Sequence, residues 1–211
     1  MSSGFLDFVH EVKPDFVEGE IHRKMAAALE WVDVGECKRL MILAPPRHFK
    51  STFARLFARY FVKRRASKNA LVCPASPMLT GVVYDGHVYN VCVGESVPSV
   101  PADLIVLDGL ASCQYMNMHG IESWLAVSVM TRLSKGGSMV MFDSRAGKGD
   151  LIDLLLRKQH YGPWTVIALP ALGSGDATAS GGYWNAGDLS EIRRALPRKE
   201  WEAQFQQNVW A

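Results

Sequence analysis

An apolar run that leads through a proline-rich loop into an amphipathic segment restricts the fold of this chain more than any other feature. The run covers residues 40–44, the loop ends at Lys50, and the amphipathic segment covers residues 53–61. This order predicts a strand, a loop and a helix. The first N–H groups of a helix lack intrahelical partners and attract phosphate groups. A lysine at the end of such a loop can reach the β- and γ-phosphates of a nucleotide, and the next hydroxyl, here that of Ser51, can ligate magnesium.

The loop nevertheless departs from the usual phosphate-binding pattern. That pattern has glycine immediately before the lysine and again six residues before it, where this chain has Phe49 and Ala44. Glycine normally provides the backbone angles and the close approach to phosphate at these positions. Taken alone, the stretch is therefore open to two interpretations, which are nucleotide binding and a proline-rich loop that caps a buried strand.

The composition is typical of one globular domain. The chain has 211 residues, of which 48% are apolar and 21% charged, and its net charge is +2. The four cysteines form no C-x-x-C pair, so neither a disulfide framework nor a zinc site is predicted. We see no leader and no run of ~18 apolar residues, and we expect a cytoplasmic protein without membrane contact. Basic clusters at residues 63–68 and 193–199 are either DNA contacts or solvated helix ends.

Apolar runs of strand length alternate with helical patterns along the chain. The predicted strands cover residues 40–44, 70–74, 87–93, 102–108, 138–143 and 164–169. The predicted helices cover residues 5–12, 18–34, 51–61, 121–133, 150–160, 188–196 and 198–207, and residues 135–137 form a predicted turn. This alternation predicts an α/β fold with a mostly parallel sheet flanked by helices on both faces. Ligands of such sheets bind beyond the carboxyl ends of the strands, where Lys50, Asp108, Ser144 and Arg145 all fall.

An acidic residue ends the apolar run 102–108. A strand beside the phosphate-loop strand can present its terminal carboxylate to a magnesium ion, so Asp108 is the candidate metal ligand. The alternative is an acid that merely starts a loop after a buried strand. On the predicted helix 18–34, His22 lies on the polar shoulder, and we interpret it as a surface residue.

Five motifs carry a resemblance to a known family. They are residues 14–23 (PDFVEGEIHR), 45–51 (PPRHFKS), 102–108 (ADLIVLD), 131–137 (TRLSKGG) and 201–208 (WEAQFQQN). In this order they resemble the ATPase domain of the large terminase subunit of tailed bacteriophages, the motor that packages DNA. The resemblance implies a P-loop NTPase of the additional-strand type over residues 1–172, followed by a C-terminal loop and helical tail over residues 173–211.

The same resemblance implies cofactors and partners. These are ATP and Mg²⁺, double-stranded DNA, the portal protein and the small terminase subunit. An active motor of this family is a homo-oligomeric ring that pulls viral DNA into a procapsid in the bacterial host cytoplasm. The implied ATP-binding residues are Pro46, Arg47, His48, Phe49, Lys50, Ser51 and Thr52.

Individual roles follow from the resemblance as well. Arg47 and Lys50 would contact phosphates. The magnesium ligands would be Ser51 and Asp108.

A second group of residues is assigned to coupling and catalysis. Ser144 and Arg145 occupy the segment that couples the state of the γ-phosphate to domain movement. Alternatively, Arg145 or Arg132 stabilises transition-state charge in a neighbour's site, so that both arginines join Asp108 as candidate catalytic residues.

Three features depart from the family. The family follows the magnesium-binding acid with a second acid that orients the attacking water, and this chain has Gly109 there. Loss of such a group typically costs ~10²–10⁴ in rate, so Asp143, Glu122 or a neighbouring subunit would have to supply the acid. The segment around residues 77–85 looks shortened. The chain also ends where the family continues into a nuclease domain, and we expect no nuclease activity.

These features leave two functions open. The first is an ATPase motor subunit that couples hydrolysis to DNA translocation, which Lys50, Ser51 and Asp108 favour. The second is a degenerate terminase-like protein that binds nucleotide, DNA or packaging partners without efficient hydrolysis, which Gly109 and the shortened segment favour. A small P-loop kinase is a weaker third interpretation, because we recognise no acceptor pocket in the sequence.

Overall fold

The computed structural model describes residues 4–65, 67–75, 87–158, 162–172 and 184–209. The segment interpreted as shortened, residues 77–85, and the start of the C-terminal loop at Gly173 lie outside these residues.

Strands and helices alternate along the described chain, as the sequence predicts. The strands are β1 (Arg39–Leu43), β2 (Ala70–Pro74), β3 (Val88–Asn90), β4 (Ala102–Asp108), β5 (Leu133–Asp143) and β6 (Thr165–Ala168). The α-helices are α1 (Phe5–Val12), α2 (Glu20–Asp33), α3 (Lys50–Lys63), α4 (Met118–Trp124), α5 (Leu151–Arg157), α6 (Ala186–Ala195) and α7 (Arg198–Glu200). The six strands form one sheet in the order β3-β2-β4-β5-β1-β6, and every described pair is parallel. The predicted α/β class is confirmed.

Helices cover both faces of the sheet because successive strand residues point to opposite sides. In β1, Leu40 and Ile42 belong to the apolar cluster formed with α1, α2 and α3. Met41 and Leu43 belong to the cluster on the other face, formed with α4 and α5. A third cluster joins Ala171 to the two C-terminal helical segments, so the described part of the tail is packed.

The position of β5 corrects one prediction. β5 lies between β1 and β4, so the strand that ends at Asp108 is not beside the phosphate-loop strand. A central strand must be buried on both faces, and residues 138–143 are buried throughout. Asp143 pairs with Leu43, and Phe142 pairs with Asp108. The carboxyl ends of β1, β5 and β4 therefore meet at one edge of the sheet.

The segment before β5 also differs from its prediction. The expected helix over residues 121–133 is the α-helix α4, followed by a π-helical turn over Leu125–Val129 and a 3₁₀ turn over Met130–Arg132. The predicted turn at residues 135–137 is wrong, since these residues lie within β5 as a bulge. Gly136 has a φ of 77°, and a Cβ on Gly137 would approach the carbonyl oxygen of Ser134 to 3.0 Å. Consecutive glycines are common in bulges as well as in turns, so the Gly136–Gly137 pair alone did not distinguish the two.

None of the helices in the described ranges combines the length and apolar character required to span a membrane.

Candidate functional site

The loop between β1 and α3 adopts backbone conformations that glycine usually provides. Phe49, immediately before the lysine, has a φ of 57°, and Arg47 has a φ of 62°. Left-handed geometry costs a residue with a Cβ atom roughly 1–2 kcal/mol. Phe49 therefore adopts the backbone conformation for which the usual pattern has glycine at its position, whereas Ala44 does not, and Arg47 is a second strained residue.

Lys50 begins α3 and extends back across the loop. Its Nζ donates to the carbonyl oxygens of Ala44 at 2.8 Å and Pro45 at 2.7 Å, and to Ser144 Oγ at 2.8 Å. Burial lowers the pKa of Lys50 to about 8, although the carboxylates of Asp143 and Asp108 act in the opposite direction. The loop thus holds the ammonium group of the half-buried Lys50 at the carboxyl edge of the sheet.

Ser51 and Asp108 meet at the same edge. Ser51 Oγ donates to Asp108 Oδ1 at 2.9 Å, and Asp108 is only 2% exposed. Burial raises the pKa of Asp108, against the hydrogen bond from Ser51 and the charges of Lys50 and Arg55. Magnesium takes oxygen ligands and is commonly held by one or two protein oxygens together with substrate phosphates. The hydroxyl and the carboxylate fit that requirement.

A second buried carboxylate lies at the end of β5. Asp143 is 1% exposed, and its oxygens accept hydrogen bonds at 2.8 Å from the backbone N–H groups of Ala111 and Ser144. Burial raises the pKa of Asp143 to about 7, against these two hydrogen bonds and the charge of Lys50. Of the two residues of this chain proposed to replace the missing acid, Asp143 is therefore the one that lies at the site.

Glu122 and Gly109 are the other two positions of this chain that bear on the missing acid. Glu122 lies on α4, where its side chain pairs with Lys158. Gly109 follows Asp108 with a φ of 73°, and the nearest atoms to a Cβ built there are 3.8 Å away. Space for a side chain exists at position 109, but the backbone conformation favours glycine.

The segment after β5 links three parts of the molecule. Ser144 Oγ donates to the carbonyl oxygen of Ala44 at 2.7 Å while it accepts from Lys50. The guanidinium of Arg145 is buried and donates to Asp150 at 2.9 Å and Asp153 at 2.6 Å. The backbone N–H of Arg145 donates at 3.1 Å to the Gln207 side chain. The phosphate loop, α5 and the C-terminal segment therefore converge on two consecutive residues.

Arg132 lies at the other edge of the sheet. The next residue, Leu133, pairs with Ala102 at the start of β4. The seven residues of β4 at a rise of ~3.3 Å per residue separate the two edges by about 20 Å. The guanidinium of Arg132 donates to the carbonyl oxygen of Val97 at 3.5 Å. Arg132 therefore does not reach the site of its own chain.

The side chains of His48 and Phe49 point to the inner side of the loop, where His22 of α2 also lies. His48 is 1% exposed and His22 on α2 is 0% exposed, so the interpretation of His22 as a surface residue was wrong. The Phe49 ring lies 5.5 Å from the His22 ring and 5.3 Å from the Phe16 ring. In the sequence, His22 precedes Met25 by one helical turn, which places it at the margin of the apolar stripe but does not by itself show that it is buried.

The remaining predicted residues of the loop line its outer side. Arg47 is exposed, whereas Pro46 and Thr52 are half-buried. The loop thus presents an exposed cationic side chain outward and an aromatic and a histidine ring inward.

Solved structures of similar fold include two bacteriophage proteins. No family model and no curated protein sequence matches the chain. The large terminase of a thermophilic bacteriophage, solved in complex with ADP, superposes with a TM-score of 0.58 at 10% identity, over 89% of this chain and 52% of that chain. The large terminase of bacteriophage HK97 superposes with a TM-score of 0.60 at 10% identity, over 97% of this chain and 54% of that chain. The chain therefore has the same fold as these two bacteriophage large terminases, over about half of the length of those two chains.

Proposed function

We propose that the chain is the ATP-binding part of a terminase-type DNA-packaging motor, in which ATP hydrolysis drives translocation of viral double-stranded DNA into a procapsid. The observation that carries this proposal is the convergence of Lys50, Ser51 and Asp108 at the carboxyl edge of a sheet with the large-terminase fold. These are the groups that a nucleoside triphosphate and its cation require.

The contacts of Lys50 define its role. Its ammonium group is held by two loop carbonyls and by Ser144, all of which a phosphate oxygen can replace with a stronger, charge-assisted hydrogen bond. The first N–H groups of α3 add their positive end to the same place. Magnesium bound by Ser51 and Asp108 would neutralise charge on the β- and γ-phosphates.

Asp143 supplies the acid that Gly109 lacks. An aspartate with a pKa near 7 is well matched to accept a proton from an attacking water at neutral pH. Its neighbours Lys50 and Asp108 tie it electrostatically to the phosphate site. The main argument for the alternative, a terminase-like protein that binds nucleotide without efficient hydrolysis, is the absence of an acid at Gly109. With Asp143 as the base, hydrolysis does not require an acid at position 109.

Coupling passes through Ser144 and Arg145 in this proposal. Ser144 contacts both Lys50 and the carbonyl oxygen of Ala44, so a change in the phosphate site alters its hydrogen bonds. Arg145 carries that change to α5 through Asp150 and Asp153. Because its guanidinium is buried in these ion pairs, the geometry favours the coupling role over a role in a neighbour's site.

The test of the proposed function is ATP binding and phosphate release by the purified chain, with and without duplex DNA. We expect ATP binding together with turnover that rises when DNA is added. Binding without turnover in either condition would favour the binding-only alternative. Absence of any nucleotide binding would contradict the proposal.

The strained loop gives a first mutational prediction. Replacing the exposed Arg47 by glycine should raise the free energy of unfolding by ~0.5–1 kcal/mol, because the left-handed strain outweighs the added chain entropy. The same change should weaken ATP binding about tenfold, since a charged contact to phosphate is lost. Thermal unfolding and calorimetric titration measure the two effects.

Phe49→Gly is the matched control for that prediction. Phe49 has the same backbone strain, but its ring packs against Phe16 and His22. This variant should therefore be less stable than the parent chain. Unchanged ATP affinity in Arg47→Gly would remove Arg47 from the phosphate contacts.

The two basic clusters differ in a way that predicts which one binds DNA. In the first, Lys63 pairs with Glu11 and Lys68 with Asp103. In the second, Arg194 and Arg198 are exposed, and within the described residues neither forms an ion pair. The uncompensated positive charge therefore lies on α6 and α7.

Replacing Arg194 and Arg198 together by alanine should weaken duplex DNA binding by roughly tenfold at low salt and lower the slope of log affinity against log salt by about 2. Fluorescence anisotropy over a salt series measures both. The control is the double alanine variant of Lys63 and Lys68, whose charges are already paired and which should bind DNA nearly as the parent does. Equal losses in both variants would contradict the assignment of DNA to α6 and α7.

A further inference from the structure

The strained conformation of the phosphate loop requires support from the residues behind it. Arg47 and Phe49 both have left-handed backbones, and His48 lies between them. Such strain persists only where the surrounding structure over-determines it. The ring of Phe49 gives part of that support by packing against Phe16. The inward-facing ring of His48 is the other candidate.

The hydrogen bonds of His48 determine which of its ring nitrogens carries the proton. Its Nδ1 lies 2.9 Å from the carbonyl oxygen of Pro46. A carbonyl oxygen only accepts, so Nδ1 is the donor. In a neutral imidazole the second nitrogen, Nε2, is then an acceptor. Burial lowers the pKa of His48, which favours the neutral ring.

His22 has the opposite arrangement. Its Nδ1 accepts a hydrogen bond of 2.9 Å from the backbone N–H of Gly19. The proton of a neutral His22 ring therefore lies on Nε2, which is a donor. Burial lowers the pKa of His22 to about 4, and the charge of His48 contributes to that shift. Burial therefore favours the neutral form of both rings. Both lie on the inner side of the loop, because the ring of Phe49, the residue after His48, lies 5.5 Å from the His22 ring.

Both Nε2 atoms are buried, and neither has a hydrogen-bond partner among the residues that the structure describes. A buried polar atom without a partner destabilises the fold. Here the two orphaned atoms have complementary roles, because one carries a proton and the other a lone pair. One water between the two rings would accept from His22 Nε2–H and donate to His48 Nε2, without a third side chain.

We propose that His22 and His48 form a matched donor–acceptor pair, in which His22 Nε2–H donates to one buried water that in turn donates to His48 Nε2, and that this pair holds the glycine-poor phosphate loop in its strained conformation. The inference rests on the proposed function where it concerns nucleotide affinity. Both histidines are positioning residues, since they act through the loop. The pair adds a polar link between α2 and the loop, beside the contact of the Phe49 ring with His22.

The tautomers provide a direct test that needs no nucleotide. Nitrogen NMR of the intact chain with labelled histidine should show a proton on Nε2 of His22 and on Nδ1 of His48 at neutral pH. The six histidines are assigned by single substitutions. The same tautomer in both rings, or a charged ring, would overturn the proposal.

A double-mutant cycle tests the coupling. His22→Phe and His48→Phe keep the ring volume but remove the nitrogens, and each should weaken ATP binding ~3–10-fold. The double variant should be no weaker than the worse single variant. His48→Gln, which keeps an oxygen acceptor near the Nε2 position, should recover most of the affinity. Losses that multiply, or no recovery with glutamine, would overturn the pair.

The midpoint of thermal unfolding, measured for the same variants, separates this proposal from the proposed function. Each phenylalanine variant should lower the midpoint, and the two decreases should not add. If the parent chain binds no ATP, the proposed function fails while this second cycle still tests the pair. Additive decreases in the midpoint would overturn the pair whether or not ATP binds.

Discussion

Replacing Lys50 by alanine is expected to weaken ATP binding by about tenfold to a hundredfold and to abolish DNA-stimulated hydrolysis. A hydrogen bond to a charged group contributes ~1.5–3 kcal/mol, and 1.4 kcal/mol corresponds to a tenfold change in affinity. The effect on hydrolysis is larger because negative charge moves onto the transferred phosphate oxygens in the transition state, where the ammonium group acts most strongly. Calorimetry measures binding, and phosphate release measures turnover.

The control for this variant lies at the other end of the same helix. Lys63→Ala removes an exposed lysine of α3 that pairs with Glu11 on the surface, and it should change neither ATP binding nor hydrolysis. Thermal unfolding of both variants separates loss of the site from loss of the fold. If Lys50→Ala binds and hydrolyses ATP as the parent chain does, the loop is not a phosphate loop.

Replacing Asp143 by asparagine is expected to lower turnover ~10²–10⁴-fold while ATP affinity changes little. The carboxylate is the proposed base, and an amide cannot accept the proton from water. The amide also places a donor near the N–H group of Ala111 or Ser144, so some loss of stability should accompany the loss of rate. Single-turnover hydrolysis at saturating ATP isolates the chemical step from binding.

The pH dependence distinguishes a base from a purely structural carboxylate. A base is active when deprotonated, and the pKa of Asp143 is about 7. Turnover of the parent chain should therefore rise as pH increases through about 7 and level off above it. Asp143→Asn should lose this rise. Glu122→Gln, which alters the carboxylate paired with Lys158, should keep both the rate and the pH profile.

Gly109→Glu provides the complementary experiment. The new carboxylate occupies the position where the terminase family has its second acid, and it should restore part of the rate lost in Asp143→Asn. Residue 109 has a left-handed backbone, so the substitution should cost roughly 1–2 kcal/mol of stability. Unchanged turnover in Asp143→Asn, without any second substitution, would show that Asp143 is not the base.

The predictions from sequence succeeded where local chemistry decides the structure. The bounds predicted for β2 and β4 agree with the structure, because each strand is a short apolar run flanked by breaker or turn residues. The order of the strands was not accessible in the same way. Buried parallel strands all read as apolar runs, and no local signal shows that β5 enters between β1 and β4.

Part of the site escaped prediction for a related reason. His22 has a polar side chain at the margin of an apolar helix stripe, and only the position of the phosphate loop against α2 shows that it is buried. The ion pairs of Arg145 with Asp150 and Asp153 depend on how the chain turns after β5. The backbone conformation at Phe49 was likewise hidden, since the sequence pattern associates it with glycine.

The placement of β5 determines which parts of the molecule can move. Hydrogen-bonded neighbours flank β5 on both sides, so a displacement along its axis would break two ladders at once. We therefore expect the sheet to stay fixed. If the proposed motor function holds, a change at the phosphate site would be transmitted through the connection from Ser144 to Asp150. We expect a rigid sheet and one short mobile connection. Backbone amide exchange should be slowest in β5, and nucleotide should change the exchange rate most in the connection from Ser144 to Asp150.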